Sequence, residues 1–379
     1  MYKEFLRKFD WFLFAAVFLL VVLSLATIYS ITLSQEQLDF LFFKKQLIFA
    51  IIGFVAMGVL TALNYTAHRS SAFYYYALSG LLLLFVLFFG VTVRGTSGWF
   101  DFGAFSFQPV EFTKLALVIV FARFFSKNLK YKRSERLLIS SVLIVVAPIV
   151  LVLFQPDFGS AMLLFGLWCA LILSLGIRRL HLIIATVAIV ITSLFSWWFL
   201  TGYYDSIKGQ DNHIVFKVVQ EYQIERVLIF FDSSRDPWGS GYNIRQAIIA
   251  IGSGQLFGRG LGFGAQSQLK FLPESQTDFI FAVIAEELGF FAVLFMLICF
   301  GVIFYRGFKI GFKSKDNFAF ILALGITFLI FIETVINISM NLGLFPVAGL
   351  TLPFLSYGGS SLIIHMMMIG ILQSIAVRR

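Results

Sequence analysis

Residues 271–294 read FLPESQTDFIFAVIAEELGFFAVL. From Phe279 onward the run is apolar enough for a bilayer, yet it opens on Asp278 and carries Glu286 and Glu287 further in. A carboxylate at the bilayer centre costs about 2.5–3.5 kcal/mol on insertion scales. A spanning helix that keeps three carboxylates needs a reason for them, and the surrounding sequence supplies one.

Composition sets the class. Of 379 residues, 59% are hydrophobic and 13% charged, with a mean hydropathy of +0.91. A soluble chain carries about twice that charge. We therefore expect an all-α polytopic membrane protein, with residues 1–379 forming one integral membrane domain. Cys169 and Cys299 both lie inside apolar runs, which argues against a disulfide framework. The net charge of +9 is read as setting topology rather than as binding nucleic acid. The first apolar run, 11–31, is too long for a signal-peptide core and reads as a retained span.

A helix needs about 20 apolar residues to cross. Ten segments qualify: 11–31, 46–64, 73–93, 111–125, 137–154, 159–176, 181–200, 278–305, 318–341 and 359–377. The fourth is short, and the chain before it, RGTSGWFDFGAFSFQP, is aromatic and Gly-rich and is expected to hug the interface. One long connection, about 201–277, precedes the eighth span. With the N-terminus inside, the cytoplasmic segments gather most of the basic residues, among them Lys3, Arg7, Lys8, Lys127, Lys130, Arg178, Arg306, Lys309 and Arg378. The short outer loops hold only Lys44, Lys45 and Arg94. The positive-inside bias puts both termini in the cytoplasm.

This topology collects the unusual polar residues at the outer face. Asp278 opens the eighth span. Asp157 sits in the turn FQPDFGS. Glu111 and Lys114, spaced i and i+3 in QPVEFTK, share a face of the fourth span. Glu333, Asn337 and Asn341 make an i, i+4, i+8 stripe on the ninth span, and Glu286 lies about 12 Å below Asp278. A polar seam between the eighth and ninth spans follows. Each residue also has a structural reading. Asp278 or Thr277 can cap a helix. Glu111 and Lys114 can be an intrahelical ion pair. Glu286 and Glu333 can be buried helix contacts. Asp157 is an ordinary turn residue, and His365, alone on an apolar helix, reads as structural.

In the long loop, NIRQAIIAIG has helical spacing, with Ile244, Ala247, Ile248 and Ile251 on one side, as in a helix lying on the membrane. The glycines that follow, from Gly252 to Gly264, suit either a phosphate-wrapping loop or a flexible lid, although no strand precedes them as a P-loop requires. Arg226, Arg235, Arg245, Arg259 and Lys270 suggest an anionic head group beside the acidic cleft.

Five stretches together, FLPESQTDFIFAVIAEELG, QPVEFTKLAL, QPDFGSA, GYNIRQAIIAIGSGQLFGRGLG and NLGLFPVAGLTLPFLSYGGSS, resemble the SEDS family (shape, elongation, division and sporulation). The likeness runs from about residue 10 to 377, and the short N-terminus is more like the rod-elongation, RodA-like branch than the division branch. The resemblance implies a ten-span protein of the bacterial plasma membrane that polymerises lipid II into peptidoglycan glycan strands. It also implies a partner, a class B penicillin-binding protein with a single span. Carried over by motif, Asp278 matches the family's essential aspartate in TDFIF. Glu111 and Lys114 match the polar pair of QPxExxK, Asp157 matches the QPD turn, and Trp99 matches the tryptophan of the preceding loop. Gln276 departs from the His found in many members, and Arg245 matches no fixed basic position.

The implied chemistry is an inverting displacement, from an α-linked lipid pyrophosphate to a β-1,4 link. It needs a base on the attacking hydroxyl and no general acid, because a neutralised pyrophosphate leaves readily. Asp278 is the expected base. Arg226, Arg245, Lys114 or a divalent cation (Mg or Mn) would neutralise the pyrophosphate, while the polyprenyl tails stay among the membrane lipids. The competing readings are a lipid II flippase and a non-catalytic cell-wall scaffold.

Overall fold

The computed structural model describes residues 7–33, 40–93, 96–103, 105–131, 134–176, 239–269 and 271–379. The described chain is a helical bundle with one small sheet. Its long helices are α1 (Trp11–Leu33), α2 (Leu41–Ala62), α3 (Thr66–Phe89), α4 (Pro109–Asn128), α5 (Glu135–Leu153) and α6 (Phe158–Ser174). Two shorter helices follow, α7 (Ser240–Ser253) and α8 (Ala265–Gln268), and then α9 (Ile280–Phe312), α10 (Asn317–Asn341) and α11 (Gly359–Arg378). Nine of the ten expected spans thus appear as helices, and the seventh, 181–200, falls outside the described residues. Seven of the helices are long and apolar enough to cross a membrane. The protein is a multi-pass membrane protein.

Three expectations need correction. The third span runs earlier than expected, because the chain leaves the helix at Gly90 and enters strand β1 (Val91–Val93). The aromatic stretch after it, expected only to hug the interface, carries strands that hydropathy does not show. It forms β2 (Thr96–Asp101) and β3 (Ser106–Phe107), in an antiparallel sheet ordered β1-β2-β3. The fourth span is not short. Pro109 opens α4, where the missing N–H costs nothing, and the helix continues for 20 residues to Asn128. Hydropathy underestimated it because Glu111 and Lys114 sit in its first two turns.

The bundle is built around α11, whose side chains are buried along nearly its whole length. Small residues let α2 approach it closely. A Cβ on Gly53 would stand 2.9 Å from Met366 Cγ, and one on Gly370 would stand 2.6 Å from the carbonyl oxygen of Met57. Close backbone approach at small residues is how helices associate in lipid. Further pairings join α3 to α4, α4 to α10, α9 to α10 and α9 to α1. Basic residues hold one end of this bundle together. Asp10 accepts from Arg306 Nε at 2.8 Å and pairs with its Nη2 at 2.6 Å. Arg69 faces Asp316 at 3.8 Å, and Arg378 donates to the carbonyls of Thr61 and Ala62.

The helix that opened the sequence reading is broken. Gly289 has φ 77° and ψ −173°, inside what is otherwise one 33-residue helix. That conformation is essentially restricted to glycine. The break strips backbone groups of their helical partners, and the Gly-rich segment replaces them. Arg259 N donates to Glu286 O (3.0 Å) and Gly260 N to Glu287 O (2.9 Å). In return, Phe290 N donates to Gln255 O (2.9 Å) and Phe291 N to Leu256 O (3.2 Å). Irregular backbone at membrane depth requires such pairing inside the protein. The glycines therefore serve close packing on a broken helix, which holds the segment down rather than leaving it a free lid. On α7 the buried stripe is Ile244, Ala247 and Ala250, while Ile248 and Ile249 are exposed. Ala250 thus takes the place expected for Ile248, because α7 packs its small residues against α9.

Candidate active site

The end of the bundle opposite the basic clamp holds a cavity of about 130 Å³. Asp278, Asp157, Glu111 and Trp99 all line it. Four residues picked from four separate stretches of sequence thus share one wall-to-wall space.

Asp278 precedes α9. The N-cap position falls on Phe279, one residue past Asp278. Thr277 Oγ1 bonds Glu274, through the carbonyl at 3.3 Å and Oε2 at 3.1 Å. The segment carrying Asp278 is held by three successive carbonyls. Gln276 O accepts from Tyr357 N at 2.8 Å, and Thr277 O accepts from Ser356 Oγ at 2.6 Å. Asp278 O accepts from the amides of both Asn337 and Asn341, each at 3.0 Å. Asn341 Oδ1 also accepts from Ala282 N at 3.3 Å. The polar seam between the eighth and ninth spans is therefore present at Asn337 and Asn341, where it fixes backbone.

Deeper, the seam divides. Glu286 turns away and accepts from Gln266 N (2.8 Å) and Ser267 N (3.2 Å), at the first turn of α8. Glu287 accepts from Ser30 Oγ (2.5 Å), Gln268 Nε2 (3.0 Å) and Ser267 Oγ (3.3 Å). These two carboxylates tie the Gly-rich segment and α1 to the broken helix, which accounts for their presence in an apolar run. Glu333 faces the other way. Its Oε1 lies 2.5 Å from Lys114 Nζ and its Oε2 lies 2.6 Å from His365 Nε2.

Lys114 is fully buried and lies off the cavity wall. Its Nζ bonds Glu111 Oε1 at 2.8 Å as well as Glu333. The i, i+3 pairing expected with Glu111 is present. The expectation of a pyrophosphate contact by Lys114 is corrected, because two carboxylates already take its ammonium. Asp157 combines both of its readings. It is the N-cap of α6, accepting from Ser160 N (2.9 Å) and Ser160 Oγ (2.7 Å), and it lines the cavity. Arg245 does not line the cavity; it is exposed on α7 and its Nε donates to Gly241 O at 3.3 Å. Arg226 lies outside the described residues.

Sequence reasoning missed the loop between α10 and α11, and the first turn of α11, as sources of site residues. Thr351, Tyr357, Ser360 and Ser361 all line the cavity. The available signal was the recurrence of Gly, Thr, Pro and Ser through AGLTLPFLSYGGSS, 348–361, inside a strongly apolar region. Lys45, read only for topology, lines an adjoining cavity of about 180 Å³ that shares Trp99, Thr277 and Tyr357 with the first. Among the described residues, no three His, Cys, Asp or Glu side chains converge as a metal-ligand set.

Known proteins place the chain. A family model described as a cell cycle protein, for FtsW, RodA and SpoVE, matches residues 6–379. Stage V sporulation protein E of Bacillus subtilis is 35% identical over 376 residues, covering 97% of this chain and 96% of the relative. Peptidoglycan glycosyltransferase MrdB of Escherichia coli is 37% identical over 330 residues, covering 86% of this chain and 84% of the relative. Among solved structures, a chain from a peptidoglycan synthase complex that coordinates polymerization and crosslinking superposes with a TM-score of 0.76 at 27% identity, with 97% of each chain covered. The rod shape determining protein RodA of Thermus thermophilus gives 0.68 at 25% identity, covering 97% of this chain and 96% of that one. With its motifs, its fold and the match over nearly its full length in agreement, the chain belongs to the FtsW/RodA/SpoVE family, the SEDS proteins.

Proposed function

We propose that the protein is a peptidoglycan glycosyltransferase that polymerises lipid II at the outer face of the plasma membrane, with Asp278 as the general base. The observation that carries this reading is the anchoring of residues 276–278, whose three successive carbonyls are all hydrogen-bonded, beside a polar cavity that Asp278 lines. A base gains from a fixed position, since general-base catalysis contributes about 10²–10⁴-fold only within hydrogen-bond reach of its proton. One carboxylate suffices, because an inverting transfer to a lipid pyrophosphate needs no paired acid. Trp99 offers an apolar face for a sugar ring, and Glu111 and Asp157 offer acceptors for its hydroxyls. Lys45, in the adjoining cavity, replaces Lys114 in our reading as the cation for the pyrophosphate. A Mg²⁺ or Mn²⁺ ion would have to come with the pyrophosphate and take one or two cavity carboxylates at most, the usual mode for Mg²⁺.

The flippase reading is disfavoured by what lies beneath the cavity. The buried Glu111–Lys114–Glu333–His365 cluster and then the apolar residues Val118, Phe121, Ile326 and Ile369 fill the bundle below it. The test is a purified-protein assay with lipid II, reading glycan length on a gel. Asp278→Asn should lower the polymerisation rate by about 10²–10⁴-fold with melting unchanged. A folded Asp278→Asn protein of near wild-type rate sinks the mechanism, and a wild type that polymerises no lipid II favours a scaffold.

The partner follows from the same reading. The structural neighbour comes from a complex that couples polymerization to crosslinking, and α9 and α10 expose Phe290, Phe291, Phe295 and Phe331. We place the single span of a class B penicillin-binding protein on this face. Cysteines at these positions should crosslink to it. Crosslinks confined to α1–α3 would move the partner elsewhere.

A further inference from the structure

The buried cluster under the cavity is larger than the motif that led to it. Glu111 and Lys114 come from one recognisable stretch, whereas Glu333 and His365 were left without a role. The four groups form a continuous chain of hydrogen bonds: Glu111 Oε1 to Lys114 at 2.8 Å, Lys114 to Glu333 at 2.5 Å, and Glu333 to His365 Nε2 at 2.6 Å. The chain continues from His365 Nδ1 to Ser361 O (2.7 Å) and Ser361 Oγ (3.3 Å), and Ser361 Oγ meets Thr351 Oγ1 at 3.0 Å. Glu111 at one end and Ser361 and Thr351 at the other all line the cavity. The arc leaves one wall, passes beneath the floor and returns to another wall.

Charge explains why Glu333 and His365 belong together. Glu111 and Lys114 already cancel. A second ionised carboxylate at Glu333 would leave a buried net charge, which proteins avoid. His365 supplies the missing proton. Its Nδ1 faces a carbonyl and its Nε2 a carboxylate, so a proton is shared between Nε2 and Glu333 Oε2. Whichever atom holds that proton, the four groups sum to zero.

The free end of the arc has a use. Glu111 lines the cavity with only a small part of its surface, and its Oε2, itself buried, accepts no hydrogen bond from any described residue, so its position depends on Lys114. We propose that Glu333 and His365 act as a charge-neutral clamp of positioning residues. They hold Lys114 against Glu111 and so fix the Glu111 carboxylate in the wall of the cavity that receives the sugar substrate. The substrate half of this inference rests on the proposed function, and the clamp half does not.

The experiment compares the wild type with Glu333→Gln, His365→Gln and the double variant. His365→Gln takes the balancing proton from Glu333 and should lower the melting temperature by about 5 °C or more, whereas Glu333→Gln leaves a neutral His365, costs Lys114 one acceptor and should be milder. The double change restores neutrality and should melt within about 3 °C of the wild type. In the lipid II assay, each single variant should raise KM about tenfold, with kcat changed less than about threefold, because Asp278 is untouched. The double variant should recover most of the KM. Lowered melting with unchanged KM in the single variants would overturn the positioning role. A double variant that melts below both singles, or that does not fold, would overturn the clamp. Where a single variant cannot be purified folded, the double variant decides alone. A wild type that elongates no lipid II defeats the proposed function, while the melting comparison still decides the clamp.

Discussion

Replacing Gly289 by alanine tests the most unusual backbone feature of the fold. At φ 77° and ψ −173° a Cβ is strained wherever it points, by about 1–3 kcal/mol. Here it also points into backbone. The added carbon would lie 2.2 Å from Gly258 N, 2.6 Å from Phe257 C and 2.7 Å from Leu256 O. None of these atoms is the end of a flexible side chain, so the Gly-rich segment must lift off the helix. Lifting breaks at least the Gly260 N–Glu287 O and Phe290 N–Gln255 O bonds, at about 0.5–1.5 kcal/mol each. The total is about 2–6 kcal/mol, or about 5–20 °C in melting temperature. Asp278 lies on the short N-terminal side of the break, so the lipid II rate should fall as well, although no cavity residue has changed. Gly252→Ala is the control, since a Cβ there meets nothing within 4 Å. It should melt at or slightly above the wild type, because Gly252 sits in α7, where alanine is the better helix former. A Gly289→Ala protein that melts within about 2 °C of the wild type would refute the view that this loop completes the broken helix.

Two further outcomes follow from the site. Lys114→Met strands Glu111 and Glu333 beside His365 alone and should cost about 3–5 kcal/mol. The Glu111→Gln, Lys114→Met double variant leaves the neutral Glu333–His365 couple and should be milder, and a double variant that melts lower than Lys114→Met would end the charge-balance argument. Asp157→Ala removes the cap on Ser160 N and should cost about 1 kcal/mol, whereas Asp157→Asn, a good cap, should keep most of it; equal melting of the two variants would deny the capping role.

Much of this protein was legible in its sequence because the bilayer enforces a simple rule. A segment that crosses must be apolar over about 20 residues, so hydropathy located nine of the described helices. The gathering of Asp278, Asp157, Glu111 and Trp99 around one cavity was also legible, because an antiparallel serpentine places alternate span ends on the same side. What sequence left open were the rotations and long-range partners. The stripe of Glu333, Asn337 and Asn341 is real, but α10 is rotated so that its amides hold the backbone of Asp278 while Glu333 reaches α4 and α11. Glu286 and Glu287 satisfy the segment around α8, a contact decided by the break at Gly289. Periodicity reports which residues share a helix face, and it carries no information about which neighbour that face meets. The pairing of His365 with Glu333 and the role of the Gly-rich segment depended on that neighbour, and only the packed bundle supplied it.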